Sequence, residues 1–169
     1  MKNLFLSAVV ASATLVSCST VSSIMQNTFP YNANFLVTSG SPSNTQLSAV
    51  SAATSINQIS GASANVKDIR VSTATLTVPN STNTGIFKSV RVYLSSGGSN
   101  EVLVASRENI SDSSGSTLSL DVNTSQTLDY IMKSGNVQQR LVYVLKQSPT
   151  TDISVKTSIS FSSVPITNP

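Results

Sequence analysis

Hydrophobic and polar residues alternate with period two over most of this chain. The last stretch shows it best: Ile153, Val155, Thr157, Ile159 and Phe161 are interleaved with Ser154, Lys156, Ser158, Ser160 and Ser162. Period two puts one set on each face of a strand, one buried and one wet. The same reading gives strands at "FPYNANFLVT" (29–38), "VKDIRVSTATLTV" (66–78), "FKSVRVYLSS" (87–96), "EVLVAS" (101–106), "TLSLDV" (117–122) and "VQQRLVYVLKQ" (137–147). Strand 66–78 changes phase partway. Ile69 and Val71 share one face, and Ala74, Leu76 and Val78 share the other. One extra residue flips an alternation, so a bulge is predicted near Ser72–Thr73.

The connections carry turn chemistry. "SGSPSN" (39–44) is a loop by its Gly, Pro and Asn, Pro79-Asn80-Ser81 stops a strand, and Gly97-Gly98-Ser99-Asn100 joins two apolar runs as a hairpin. Two segments break the period. In "SQTLDYIMKSG" (125–135), Leu128, Ile131 and Met132 fall at i, i+3, i+4 before Gly135, which predicts a short helix. Leu47, Val50, Ile56 and Ile59 recur at multiples of three, which fits either a short helix or a loop pinned by aliphatic residues. The pattern predicts an all-β protein: an antiparallel β-sandwich of about seven strands, immunoglobulin-like or jelly-roll, with one short helix.

The N-terminus follows another rule. "MKNLFLSAVVASATLVSC" has Lys2 as its only charge, then an apolar run broken by Ser and Thr. This is signal-peptide patterning, too short for the ~20 apolar residues of a transmembrane helix. It ends in Leu15-Val16-Ser17-Cys18, and Cys18 is the single cysteine of the chain. An aliphatic residue, a tolerant position, a small residue and then Cys resembles the lipobox of bacterial lipoproteins. The resemblance implies lipidation at Cys18 and cleavage between Ser17 and Cys18. It explains a lone thiol, because a thioether needs no partner cysteine. Several acyl chains at ~0.8 kcal/mol per buried CH₂ would hold the protein to a membrane permanently. Ser19 and Thr20 follow, and a polar, non-acidic residue there resembles the outer-membrane sorting class. The expected organisation is a signal peptide over 1–17, a tether over 18–28 and a sandwich domain over 29–169. The expected location is the outer membrane, lipid-anchored, with the facing side open.

Composition supports a folded, strand-rich domain. The chain holds 34 Ser and 18 Thr, yet charged residues are only 10%, against roughly a quarter in typical domains. Abundant Val, Ile and Leu exclude the low-hydrophobicity, high-charge signature of disorder. Without Lys2 there remain nine basic and seven acidic residues, and Lys67/Arg70, Lys88/Arg91 and Arg140/Lys146 lie apart, so no basic stripe invites nucleic acid. The segment "FKSVRVYLSSGGSNEVLVASRENI", followed by "LDYIMKSG" and a long strand, resembles immunoglobulin-like or jelly-roll domains of bacterial cell-envelope lipoproteins over residues 29–163. That resemblance implies no activity.

The chain has no His, which removes the Ser-His-Asp triad, the Cys-His pair and imidazole metal sites. Ser89 with Lys88 and Ser154 with Lys156 are formal Ser-Lys pairs, read as solvated strand faces. Asp68, Glu101, Glu108, Asp112, Asp121, Asp129 and Asp152 fall at strand ends, in loops or in the helix, and none forms an evident pair. In "SDSSGS" (111–116), Asp112, Ser114 and Ser116 alternate around Gly115, poorer in carboxylates than a calcium loop. No catalytic residue, metal ligand or cofactor is expected. A sugar site would want an aromatic platform; the chain has no Trp, and its tyrosines are Tyr31, Tyr93, Tyr130 and Tyr143. Of these, Tyr93 is read as exposed and Tyr143 as core.

The expectation is therefore a non-enzymatic, lipid-anchored envelope protein that is structural or contacts an envelope protein. Two alternatives stand. One is glycan or small-ligand binding through sandwich-end loops such as 97–100 and 111–116. The other is a pilin-like subunit exchanging the strand at 152–162.

Overall fold

The computed structural model describes residues 28–60 and 65–166. Nine strands, two short α-helices and one 3-10 turn follow in the order β1 (Phe29–Val37), β2 (Gln46–Val50), α1 (Ile56–Ser60), β3 (Val66–Thr77), the 3-10 turn (Thr84–Ile86), β4 (Phe87–Ser96), β5 (Ser99–Glu108), β6 (Thr117–Ser119), β7 (Asp121–Val122), α2 (Asp129–Met132), β8 (Val137–Leu145) and β9 (Ile153–Pro165). They form two antiparallel sheets, ordered β1-β9-β3-β6 and β2-β8-β4-β5-β7. β6 and β7 are one strand interrupted at Leu120. Its first half pairs with β3 in one sheet and its second with β5 in the other.

Counting that broken strand once, the eight strands pair from the outside in: β1 with β9, β2 with β8, β3 with β6, β4 with β5. That nesting is a jelly roll. An immunoglobulin-like order would set the first strand beside the second in one sheet. Here β1 and β2 lie in different sheets, so of the two predicted sandwiches the structure is the jelly roll.

The predicted alternation holds at the centre of the fold. β9 carries its apolar side inward, with Val155, Ile159 and Phe161 fully buried, and Phe161 stacks on Phe29 at 5.4 Å between ring centroids. The phase change in β3 is a bulge. Val71 faces Phe161 and Thr73 faces Ser160, leaving Ser72 as the extra residue, with its hydroxyl on the Ser160 carbonyl at 3.0 Å. A second irregularity at Lys67/Arg70 includes Asp68 at φ 53°. The hairpin between β4 and β5 turns on Gly97 and Gly98 alone, at φ 57° and 83°. Positive φ at both central positions is what a type I′ turn requires. α2 occupies the middle of the predicted helical segment, and Gly135 follows it at φ 86°.

The segment with threefold spacing divides in two. Residues 46–50 form β2, because they pair with Val144 through Arg140 and complete the edge of β8. Leu47 faces the core while Val50 is 57% exposed. Ile56 and Ile59 then lie on α1, with Ile56 buried. The spacing was real for the helix and coincidental across the strand.

The C-terminal strand has both edges paired, to β1 and to β3. The free edges belong to β1, β6, β2 and β7. A strand exchange at 152–162 would have to break ladders already formed in this monomer.

Between the sheets the core is mostly apolar, and Gln139 and Thr157 meet inside it. Both are fully buried. The Thr157 hydroxyl donates to Gln139 Oε1 at 2.5 Å, and Gln139 Nε2 donates to the Tyr31 carbonyl at 3.1 Å. The Tyr31 hydroxyl donates to the Val137 carbonyl at 3.1 Å. Thr157→Val keeps the shape but strips Gln139 Oε1 of its donor. It is expected to cost about 1–3 kcal/mol in urea unfolding, whereas Thr75→Val on the outer side of β3 should stay within about 0.5 kcal/mol. Equal costs would show that the buried bond contributes nothing special.

Candidate functional site

Antiparallel strands return the chain to the same place every second connection. The segments 38–45, 78–86, 109–116 and 146–152 therefore gather at one end of the sandwich. The turn 97–98, the segment 123–136, the start of β1 and the finish of β9 lie at the other end. The loops 97–100 and 111–116 are at opposite ends and cannot build one site together.

The four-loop end holds a cleft of about 620 Å³, within the size range of small-ligand pockets. One wall is Ser81, Thr82, Asn83 and Ile86, with Asp112 beside it. The other is Gln147–Thr151, with Ile153 and Lys146 beneath. Pro149 and Ile153 are buried and Ile86 half-buried, so the floor is apolar and the rim polar.

The first wall is stitched tightly. Gly85 lies so close to the Asp112 backbone that a Cβ would come within 2.6 Å of the Asp112 carbonyl oxygen. Asn83 is committed at both ends of its amide. Its Nδ2 donates to the Asp112 carbonyl at 2.9 Å, and its Oδ1 accepts from the Gly85 amide at 2.7 Å. The Thr84 hydroxyl, fully buried, reaches Ser114 Oγ at 2.7 Å and the Gly115 carbonyl at 2.9 Å. Across the cleft, Lys146 donates to the Ile110 carbonyl at 2.5 Å and to the Asp112 carboxylate. The far wall is fixed by the Gly40 amide on the Pro149 carbonyl at 2.9 Å and the Ser39 amide on Asp152 Oδ1 at 2.8 Å. Asp112 was singled out by its loop. Its neighbours from 81–86 were marked only by the Pro79-Asn80-Ser81 stop, and those from 146–151 were not marked at all, so nothing showed where the loops meet.

The tyrosines are dispersed. Tyr31 and Tyr143 are buried, and burial pushes both phenols above their ordinary value. Tyr143 meets Phe87 edge-on at 5.8 Å. Tyr93 is half-buried on the outer face of the five-stranded sheet, under the Arg140 guanidinium at 4.7 Å. Tyr130 is 71% exposed at the end opposite the cleft, its hydroxyl accepting from Asn100 Nδ2 at 3.0 Å. No aromatic platform forms among the described residues.

The carboxylates are likewise spread over separate ion pairs: Glu101 with Arg140, Glu108 with Arg91, Asp121 with Arg107, Asp129 with Lys133 and Asp112 with Lys146. Asp129 also accepts the Ile69 amide at 3.0 Å, tying α2 to β3. No group of three metal-ligating side chains occurs among the described residues. Ser154 and Lys156 are exposed on the outer face of β9, and Lys88 is the extra residue of a bulge beside Ser89. Ser17 and Cys18, with the rest of 1–27, lie outside the described residues.

Two outcomes follow. Gly85→Ala forces the two loops apart and should cost about 1–3 kcal/mol in thermal or urea unfolding, with amide shifts concentrated at 79–86 and 110–116. An unchanged midpoint would mean the close approach is dispensable. The Arg140 side chain beside Glu101 holds its carboxyl below the ordinary carboxylate value. The pair therefore contributes stability above that ordinary range and loses it as pH falls through the lowered value. In Arg140→Gln the Glu101 carboxyl should titrate back in the ordinary range, read by NMR against pH.

No protein-family model matches the chain, and no curated protein matches it. Among solved structures, similar chains include ones from three viruses. A chain of the cyanophage Pam1 capsid asymmetric unit is 14% identical, with a TM-score of 0.46 over 81% of this chain and 85% of that one. A chain of Cocksfoot mottle virus is 10% identical at a TM-score of 0.27, over 97% and 96%. A chain of Desmodium yellow mottle tymovirus is 14% identical at 0.23, over 99% and 98%. Scores this low carry no argument, and the jelly roll here rests on its own hydrogen-bonded registers.

Proposed function

We propose that this chain is a non-enzymatic, lipid-anchored protein of the bacterial cell envelope, working by contact and not by chemistry. The observation that carries the anchor is in the sequence: Leu15-Val16-Ser17-Cys18 after a signal-like run, with the one cysteine of the chain at the acylation position. The geometry supports a display role. β1 starts, and β9 finishes, at the same end of the sandwich. A tether running from Cys18 to Thr28 joins the domain at that end. The four-loop end and both outer sheet faces are then left free for an envelope partner. The carboxylates engaged in ion pairs fit a surface with structural charges and no reacting pair.

A second reading, glycan or small-ligand binding through sandwich-end loops, is favoured by one observation. The cleft at the four-loop end has fixed walls and an ion pair between them.

The anchor is tested by intact mass and membrane partition of the full-length protein beside Cys18→Ala. The wild type is expected in the membrane fraction with the added mass of diacylglycerol and a further acyl chain. The mutant should lose that mass and become soluble. A wild type that is cleaved and soluble without lipid would sink the anchored reading and leave a secreted contact protein.

A further inference from the structure

We propose that the cleft at the four-loop end binds a neutral saccharide. This rests on the ligand-binding reading above and names its site and the class of its ligand.

Charge narrows the class first. Lys146 and Asp112 are the ionic groups of the cleft, and they pair with each other. An anion drawn to Lys146 would meet the Asp112 carboxylate, and a cation drawn to Asp112 would meet the ammonium. Asp112 supplies one carboxylate where a calcium site needs several oxygen ligands. A ligand without net charge avoids all of these conflicts.

The lining then specifies hydroxyls. The side chains of Ser81, Thr82, Gln147, Ser148, Thr150 and Thr151 make no hydrogen bond among the described residues. All six both donate and accept, as sugar hydroxyls do. The Asp112 side chain is 90% exposed although Lys146 holds Oδ1. Its other oxygen is open to accept from a ligand hydroxyl, and a charged acceptor makes the stronger kind of hydrogen bond. Beneath this rim, Ile86, Pro149 and Ile153 give an apolar floor for the C–H face of a sugar ring.

Stiffness makes the arrangement useful. Asn83, Thr84 and Gly85 spend their bonding capacity on holding the wall, not on the cleft. The uncommitted side chains stand on walls already ordered, so little loop entropy is lost on binding. Position adds a reason. β1 is nine residues long, which at about 3.3 Å each is roughly 30 Å of strand. The cleft thus sits that far from the start of β1, at the opposite end of the sandwich. With no aromatic platform the affinity should be weak, on the order of 1 mM.

The test titrates full-length ¹⁵N-labelled protein with maltotriose, cellotriose and N,N′,N″-triacetylchitotriose, and separately with inorganic phosphate and calcium chloride. At least one trisaccharide is expected to shift the amides of Gly85, Asp112, Gln147 and Thr151 saturably, while phosphate and calcium do not. Asp112→Asn should weaken that binding at least fivefold. Thr151→Val, on an exposed position that leaves the walls intact, should weaken it about threefold. If phosphate or calcium saturates those amides and no trisaccharide does, the saccharide proposal fails while ligand binding at the cleft survives. If none of the probes moves them, both fail. Saccharide shifts unaffected by both substitutions would also overturn the site.

Discussion

A buried carboxamide joins the two sheets of this protein. Gln139 projects from β8 into an apolar interior, takes a hydroxyl from Thr157 on β9 and gives its amide to the carbonyl of Tyr31 on β1. Burying these groups unpaired would cost more than any one of them returns, so the network tolerates only one alignment of the sheets. A slip of β9 by one residue would turn Thr157 outward and set Ser158 or Lys156 in the core. Apolar burial drives the sandwich together, and the amide selects the register in which it closes.

That register has consequences at both ends. β1 and β9 are neighbours, so the described chain enters and leaves the domain at one end. Loops from four separate stretches of sequence are consequently brought together at the other. There, the approach of Gly85 to the Asp112 backbone and the amide of Asn83 fix one wall, while backbone amides of Gly40 and Ser39, on the Pro149 carbonyl and the Asp152 carboxylate, fix the opposite one. The lone lysine and carboxylate between the walls neutralise each other, which leaves hydroxyls and amides to decide what the cleft prefers.

The surface elsewhere is arranged for quiet. The outer side of β9 is a run of Ser with one Lys, and Pro30 lies on the free edge strand β1. The proline, on a free edge, discourages edge-to-edge pairing between copies. On the five-stranded sheet, Arg140 lies over Tyr93 and pairs with Glu101, covering aromatic surface with charge.

Local pattern was enough for the strands whose neighbours on both faces are typical. The period of β9, the phase change that became the Ser72 bulge, the Gly97-Gly98 turn and the turn of helix before Gly135 were all legible, because each is enforced by short-range geometry. Thr157 was visible on the apolar side of β9, and Gln139 lay inside the strand read at 137–147 with its face unassigned. Their bond was not visible, since the partners are 18 residues apart and lie in different sheets. β2 was hidden because five residues with one exposed valine carry little pattern of their own, and only the unpaired edge of β8 makes them a strand. The choice between immunoglobulin-like and jelly-roll order was open for the same reason: alternation says which face is buried and nothing about which strand lies alongside. The cleft depended wholly on that choice. Sequence alone determined an all-strand sandwich. Tertiary structure alone decided which loops meet, because contact between distant segments follows strand order, and strand order is a property of the packed sheets.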